Sequence, residues 1–415
     1  MALVDSVEIS HPVENKALWP HQRSNVLDWL VTQTSGNRYI DNIFVEMCVR
    51  LRDQGVSIAR ASMNFLVQHP QWRGARILWR NGQPEAAFDT YAYGSETAAE
   101  YLNSPLYDIH NGAEEVRQAL HGPGVIERDY QIYRDLRQEG LTDYVAWPLQ
   151  HTFGKRHVVT FASDRPNGFL ASEIETLKSL VPAIALVSEI RLKNRMARTL
   201  LETYVGPHAS QEILDGATRR GSGNTVSAVI MICDLRDFTR ISDLWPRDDV
   251  IELLNGYFDA MAEPIEKNGG EILKFMGDGL LAIFPLNNAD AATNLIAAIG
   301  EAQEGLKKLN ENNIKRGHEP FGYGIGVHVG DVMYGNIGSR TRLDFTVIGP
   351  AVNIASRLET LTKTVGRRVL LSEDFVSMLE DKSTFESLGP RLLRGLEHPI
   401  GVYALRNSTI DPPTA

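Results

Sequence analysis

A handful of polar residues in the C-terminal half of the chain have types and spacings that could do chemistry. Asp234 follows the apolar run 226–233, inside Asp-Leu-Arg-Asp-Phe-Thr239, and Asp278 lies 44 residues on, in Gly277-Asp-Gly279. If that strand and that turn are neighbours in one sheet, the two carboxylates meet. Paired carboxylates are hard oxygen donors for a divalent cation that also takes substrate phosphates. Each aspartate alone is more simply a turn former, which the flanking glycines favour equally. Asn353 and Arg357 stand four apart in Val352-Asn-Ile-Ala-Ser-Arg-Leu358, on one helical face. The guanidinium fork suits phosphate oxygens, and pairing of Arg357 with Glu359 or Glu373 is the plainer alternative. Lys274, between Leu273 and Phe275, either meets a ligand or guards an edge strand against aggregation.

Apolar periodicity supplies the elements that must position these groups. A strand over 226–233 precedes a helix over 249–268, where Ile251, Leu254, Phe258, Met261 and Ile265 recur every three or four residues before Gly269-Gly270. Residues 271–275 and 279–284 predict a hairpin around Met276-Gly-Asp-Gly279. A helix over 288–310 leads to strands at 322–329, 332–335 and 343–348, and Pro350 opens a helix to about residue 364. The order β-α-β-β-α-β predicts an α/β (α+β) domain, ferredoxin-like, with an antiparallel sheet backed by helices.

In the first half, a helix is expected over 39–54, strands over 61–68 and 75–80, a helix over 128–139, and adjacent strands at 144–150 and 157–162. A helical pattern then runs from Ser172 to Leu200. Ile174, Leu177, Val181 and Ile184 follow a 3-4-3 spacing that suits either a parallel two-helix seam or packing on the domain's own sheet, and Pro182 is expected to bend the helix. Trp79, Tyr91, Tyr93 and Trp147 either line a ligand pocket or fill the core. The turn-rich stretch 216–225 marks the approach to the second domain.

At 415 residues the chain has room for two or three domains of roughly 150 residues. A hydrophobic content of 43% excludes wholesale disorder. The net charge of −10 argues against a broad nucleic-acid surface. Cys48 and Cys233 cannot build a disulfide framework, which favours a reducing compartment. No stretch approaches the roughly 20 apolar residues of a membrane span. Residues 1–11, with Asp5 and Glu8, lack the pattern of a signal peptide, so a cytoplasmic protein is expected. The eleven histidines form no spaced cluster.

Residues 226 to about 405 resemble the catalytic domain of class III nucleotidyl cyclases, of the bacterial subgroup that carries threonine in its base-binding pair. Three segments carry the likeness: Asp-Leu-Arg-Asp-Phe-Thr from Asp234, Gly-Gly-Glu-Ile-Leu-Lys-Phe-Met-Gly-Asp-Gly from Gly269, and Phe-Thr-Val-Ile-Gly-Pro-Ala-Val-Asn-Ile-Ala-Ser-Arg-Leu-Glu from Phe345. The resemblance implies that Asp234 and Asp278 bind two Mg2+ or Mn2+ ions per site. It makes Lys274 the adenine-recognising lysine and Thr346 its partner. Asn353 becomes the ribose-orienting asparagine and Arg357 the transition-state arginine, with Phe238 and Arg394 at the substrate. Asp237 departs from the family's usual glycine, and Pro350 from a common aspartate.

The implied reaction converts ATP to cyclic AMP and pyrophosphate. In this family each site is shared between two catalytic domains, so a homodimer is implied. A guanylate cyclase would carry an acidic residue where Lys274 stands. A diguanylate-cyclase-like enzyme would need a Gly-Gly-Asp/Glu-Glu-Phe turn. A degenerate scaffold would have lost site positions that are all present here. The order of elements in the first half and the segment Asp164-Arg-Pro-Asn-Gly-Phe-Leu resemble a GAF-type sensor, implying a small-molecule or protein input. The expected division is a sensor over 1–190, a connecting helix and linker over 191–224, a catalytic domain over 225–408 and a tail over 409–415.

Overall fold

The computed structural model describes residues 24–406 except 68, 122–127 and 129. The N-terminal segment 1–11 and the tail 409–415 lie outside the described residues. The chain divides into two compact units, Met1–Leu200 and Leu201–Ala415.

Unit 1 begins with α1 (Asn25–Thr32), whose first turn is capped by Ser24 Oγ accepting from the Leu27 amide at 3.1 Å, and α2 (Ile40–Asp53). Strands β1 (Arg60–Leu66), β2 (Trp72–Arg80) and β3 (Ala87–Ala92) follow, then the short helices α3 (Ala99–Leu102) and α4 (Pro105–His110) and strand β4 (Val116–Ala119). Helix α5 (Gln131–Gln138), strands β5 (Asp143–Gln150) and β6 (Arg156–Ser163) and helix α6 (Ala171–Val205) complete the run. The six strands form one antiparallel sheet in the order β3-β2-β1-β6-β5-β4. Strands β3 and β4 had no signal in the sequence, because one is mostly exposed and the other is only four residues long.

The expected seam on α6 faces inward. Leu177 and Ile184 are 0% and 2% exposed, and Ile174 and Val181 pack against the same cluster of α1, α2 and sheet residues. Packing on the domain's own sheet accounts for that spacing. The solvent face instead carries Leu186 and Ile190. Pro182 is accommodated inside one continuous helix. Trp79 and Trp147 belong to the core, whereas Tyr91 and Tyr93 are exposed, so the four aromatics line no common pocket.

Unit 2 contains α7 (Pro207–Leu214), β7 (Gly223–Leu235), α8 (Phe238–Leu244), α9 (Arg247–Lys267), β8 (Glu271–Met276), β9 (Gly279–Pro285) and α10 (Ala291–Lys315). It continues with β10 (Tyr323–Gly338), β11 (Leu343–Ile348), α11 (Pro350–Val365), β12 (Val369–Ser372), α12 (Glu373–Ser377), β13 (Phe385–Arg391) and β14 (Ile400–Leu405). The sheet order is β13-β14-β12-β10-β7-β9-β8, with β11 paired to the far end of β10. Alternation sorts the central strand: Val229, Met231, Cys233 and Leu235 face the core under α9 and α10, while Ala228, Ile230 and Ile232 face the side covered by α7 and α11.

The two strands expected over 322–335 are one. β10 runs unbroken through Gly330-Asp331, which pair with Ala228 and Ser227 of β7. The glycine that reads as a turn signal serves packing instead, since a Cβ at Gly330 would lie 2.9 Å from Ala351 Cβ on α11. Gly326 permits a closer approach still, because its Cβ would lie 2.2 Å from Ala355 O and 2.3 Å from Glu359 N. Gly326 and Gly330 thus let α11 lie close to β10, while Gly322 and Gly324 leave room for the side chain of Arg236.

Candidate functional site

Asp234 stands one residue before the end of β7, opposite Gly279 on β9 and Gly324 on β10. Asp278 occupies the turn joining β8 to β9, where Gly277 takes φ 69°. The sheet therefore brings the two carboxylates together at one strand end. Gly279 fits closely at this point: a Cβ there would meet Cys233 O at 3.0 Å and Asp234 Oδ1 at 3.1 Å. Burial raises the Asp234 carboxyl to about 6, aided by the negative charges of Asp278 and Glu359 and by a hydrogen bond with Asp278. Two carboxyls this close share a proton unless a cation replaces it.

That donor set fits a small hard dication, which binds through one or two carboxylates and completes its shell with water and substrate phosphates. Among the described residues no group of three or more His, Cys, Asp or Glu side chains is arranged to hold a metal ion.

Lys274 sits on β8, the last strand of the sheet path, so the edge-strand reading and the ligand reading describe the same position. A bulge decides where it points. Ile272 pairs with Ala282 but Lys274 pairs with Leu281, leaving Leu273 extra. Leu281 belongs to the side of the sheet facing α7 and α11, and Lys274 shares that side. Phe275 turns the other way, its ring 4.5 Å from that of Phe258 on α9. The ammonium of Lys274 is ion-paired to Asp344 on β11, two residues before Thr346 and on the same strand face. Thr346 is half-buried. Asp344 escaped notice in the sequence, and the alternation Asp344-Phe-Thr346 is the signal that could have found it.

Helix α11 presents Asn353 to solvent and leaves Arg357 half-buried. The Arg357 guanidinium passes over Gly395, where a Cβ would lie 3.2 Å from Nη2 and where φ is 76°, so glycine is the residue this turn needs. Arg394 precedes that glycine and is exposed. Glu359 does not pair with Arg357. It is 6% exposed and lies 3.3 Å from Nη1 of Arg236, which is equally buried. Burial raises the Glu359 carboxyl against the opposing charges of Arg236 and Lys363.

Phe238 opens α8 and packs against the core below α9. Asp237 before it adopts φ 55°, one of two described non-glycine residues in that left-handed region. The glycine usual here in the resembling family thus has a backbone reason, and aspartate is among the residues that tolerate the conformation best.

Residues 222–407 match the family model described as "Adenylate and Guanylate cyclase catalytic domain". The chain is 36% identical over 196 residues to an adenylate cyclase of Anabaena cylindrica, covering 45% of this chain and 38% of that one. It is 31% identical over 175 residues to adenylate cyclase 1 of Rhizobium meliloti, covering 42% of this chain and 26% of that protein. A solved structure of the guanylyl cyclase Cya2 is 30% identical, covers 46% of this chain and 97% of its own, and aligns with a TM-score of 0.40. Residues 222–407 are thus a class III adenylate/guanylate cyclase catalytic domain. The chain spans well under half the length of these two curated relatives. Among the described residues no helix is long and apolar enough to cross a membrane.

Proposed function

We propose that the chain is an adenylate cyclase that forms 3′,5′-cyclic AMP and pyrophosphate from ATP at sites shared by two copies of the chain. One observation carries the shared-site reading. Glu359 faces the Asp234 side of α11, and residues two apart on a helix point about 200° apart. Arg357 therefore points away from its own chain's carboxylates. Two copies related by a twofold axis bring the Asp234–Asp278 pair of one to the Lys274, Asn353 and Arg357 of the other.

Mg2+ or Mn2+, two ions per site, would be held by Asp234 and Asp278 and would acidify the ribose 3′-hydroxyl and neutralise the phosphates. Lys274 donates to the acceptor ring nitrogen of adenine, and Thr346 accepts from its amino group. Guanine presents the opposite pattern on that edge. Asn353 orients the ribose so that its 3′-oxygen attacks the α-phosphorus as the bond to the pyrophosphate oxygen breaks. Arg357 meets the charge growing on the α-phosphate, a contribution of about 3–4 kcal/mol for a preorganised donor. Arg394 reaches the terminal phosphates, and the main chain before Phe238 borders the triphosphate.

We read unit 1 as a GAF-like input domain, supported by its six-stranded antiparallel sheet and long exit helix. Two buried, unbridged cysteines support a reducing, cytoplasmic setting.

The deciding experiment is a cyclic-nucleotide assay on purified protein with ATP or GTP, with and without Mn2+. Metal-dependent cyclic AMP from ATP is expected, whereas cyclic GMP as the main product would move the assignment to a guanylate cyclase. Mixing Asp234→Ala with Arg357→Ala, each inactive alone, should restore at most about half of wild-type activity per heterodimer, since one of two sites is whole.

A further inference from the structure

We propose that the buried Arg236–Glu359 ion pair is a positioning device for Arg357, locking helix α11 onto the strand end that carries Asp234. The inference rests on the shared-site cyclase reading above and adds two residues that never touch substrate.

The chain builds a cradle for this pair. The Arg236 amide donates to Gly322 O at 2.8 Å, fixing the residue beside β10. Its side chain then lies across glycines: a Cβ at Gly322 would come within 3.1 Å of Arg236 Cγ, and one at Gly324 within 2.0 Å of Nη2. From α11, Glu359 brings its carboxylate to Nη1 and its main-chain oxygen to 3.5 Å from Nη2. Beyond these contacts, Arg236 Nε and Nη1 and Glu359 Oε1 have no hydrogen-bond partner. Each charge is the other's main counter-charge, ahead of Lys363 for Glu359 and of Asp234 for Arg236, and removing one leaves its partner poorly matched in the protein interior.

The two ends of the tie are not held equally. The strand end at Asp234 is laddered on both sides, to Gly279 and Gly324. Helix α11 has no ladder: it is held by the packing of Ala351, Ala355 and Leu358 and, as its buried charged contact to the sheet, by the Glu359–Arg236 pair. Glu359 lies two residues beyond Arg357. Cutting the tie should therefore move Arg357 and leave Asp234 in place. Displacement of a catalytic group by about 1 Å costs on the order of 10²-fold in rate.

In the dimer, Asp234 and Arg357 of one chain serve different sites, and this separates the two ends experimentally. The reference is the heterodimer of Asp234→Ala and Arg357→Ala full-length chains, which has one working site. Arg236→Met/Glu359→Leu, which removes both charges together, is introduced into one protomer or the other. In the protomer that supplies Arg357 the change should lower kcat by at least about tenfold more than in the protomer that supplies Asp234. The ATP KM should move by less than about threefold, because Lys274 stands on a different element. Arg236→Lys, which keeps the charge and loses the fork, should show the same asymmetry with a smaller loss and serves if the double variant does not fold. Equal losses from both protomers, or no loss, would overturn the positioning role and leave the cyclase reading standing. A reference heterodimer without activity would overturn the shared site and this role with it.

Discussion

Unit 1 answers its buried carboxylates from within, whereas unit 2 sets two of its carboxylates against each other. In unit 1, Asp143 accepts from the Phe169 amide at 3.0 Å and from Arg117 at 2.8 Å. Glu173 accepts from the amides of Ser57 and Leu170 and from Arg165. Burial raises Glu189, but hydrogen bonds from Lys193, the Thr152 hydroxyl and the Thr152 amide outweigh it and bring it to about 2. In unit 2, Glu359 is likewise met by Arg236, but at half-buried Asp234 burial and like charge dominate and raise it to about 6. A carboxylate that is fully answered within its own unit is structural. One that faces another carboxylate is a candidate functional group.

The sharpest way to break this comparison is to remove a member of each class. Asp234→Ala and Asp278→Ala should each lower metal-dependent cyclic-AMP formation by about 10²-fold or more, with folding intact. Turnover above about a tenth of wild type in either folded variant would sink the metal pair. Glu173→Ala should do the reverse. It leaves two amides and Arg165 without their acceptor, at a cost of about 2–3 kcal/mol. Hydrogen exchange across residues 24–200 during denaturant unfolding would show the loss, and an unchanged unit 1 would blur the distinction.

A smaller effect follows from the sign of the titrations. Asp234 binds its proton more tightly folded than unfolded, so its contribution to stability falls as pH rises from about 3.8 to about 6. Without metal, Asp234→Asn should therefore raise Tm by a few degrees at pH 7 and by nothing below about pH 3.8. Glu189 runs the other way: its stabilisation is present above about 4.5 and fades as pH falls towards about 2. Thermal melts of the Asn variant over this range would sharpen the contrast, and a Tm gain independent of pH would remove it. The smallest effect expected is from Asp237→Gly. Relief of φ 55° should stabilise unit 2 by at most about 1 kcal/mol, read by denaturant midpoint.

The second unit was legible because its candidate residues lie on strand ends and turns. Asp234, the Gly277-Asp-Gly279 turn and the helix opening at Pro350 each announce themselves by local residue type. What escaped was non-local. Glu359 offered Arg357 as its sequence neighbour, yet its partner is Arg236, 123 residues away, reached only through the glycine face of β10. Asp344 likewise meets Lys274 across 70 residues. In unit 1 the spacing of Ile174, Leu177, Val181 and Ile184 specified an apolar face but not what covers it, and the covering elements are helices and strands that periodicity alone does not place.

The bulge at Leu273 makes the orientation of Lys274 a matter of counting. Along a regular strand, Lys274 would share the side of Ile272 and project its ammonium under α9, while Phe275 would lose the ring of Phe258. The surplus residue shifts the phase of the strand by one and reverses both outcomes. Removing Leu273 outright would restore plain alternation from Ile272 and leave Lys274 opposite Leu281, whereas keeping Leu273 without the bulge would turn the lysine to the other side of the sheet. The side on which Lys274 meets Asp344 thus depends on how the strand accommodates Leu273, as much as on the lysine itself.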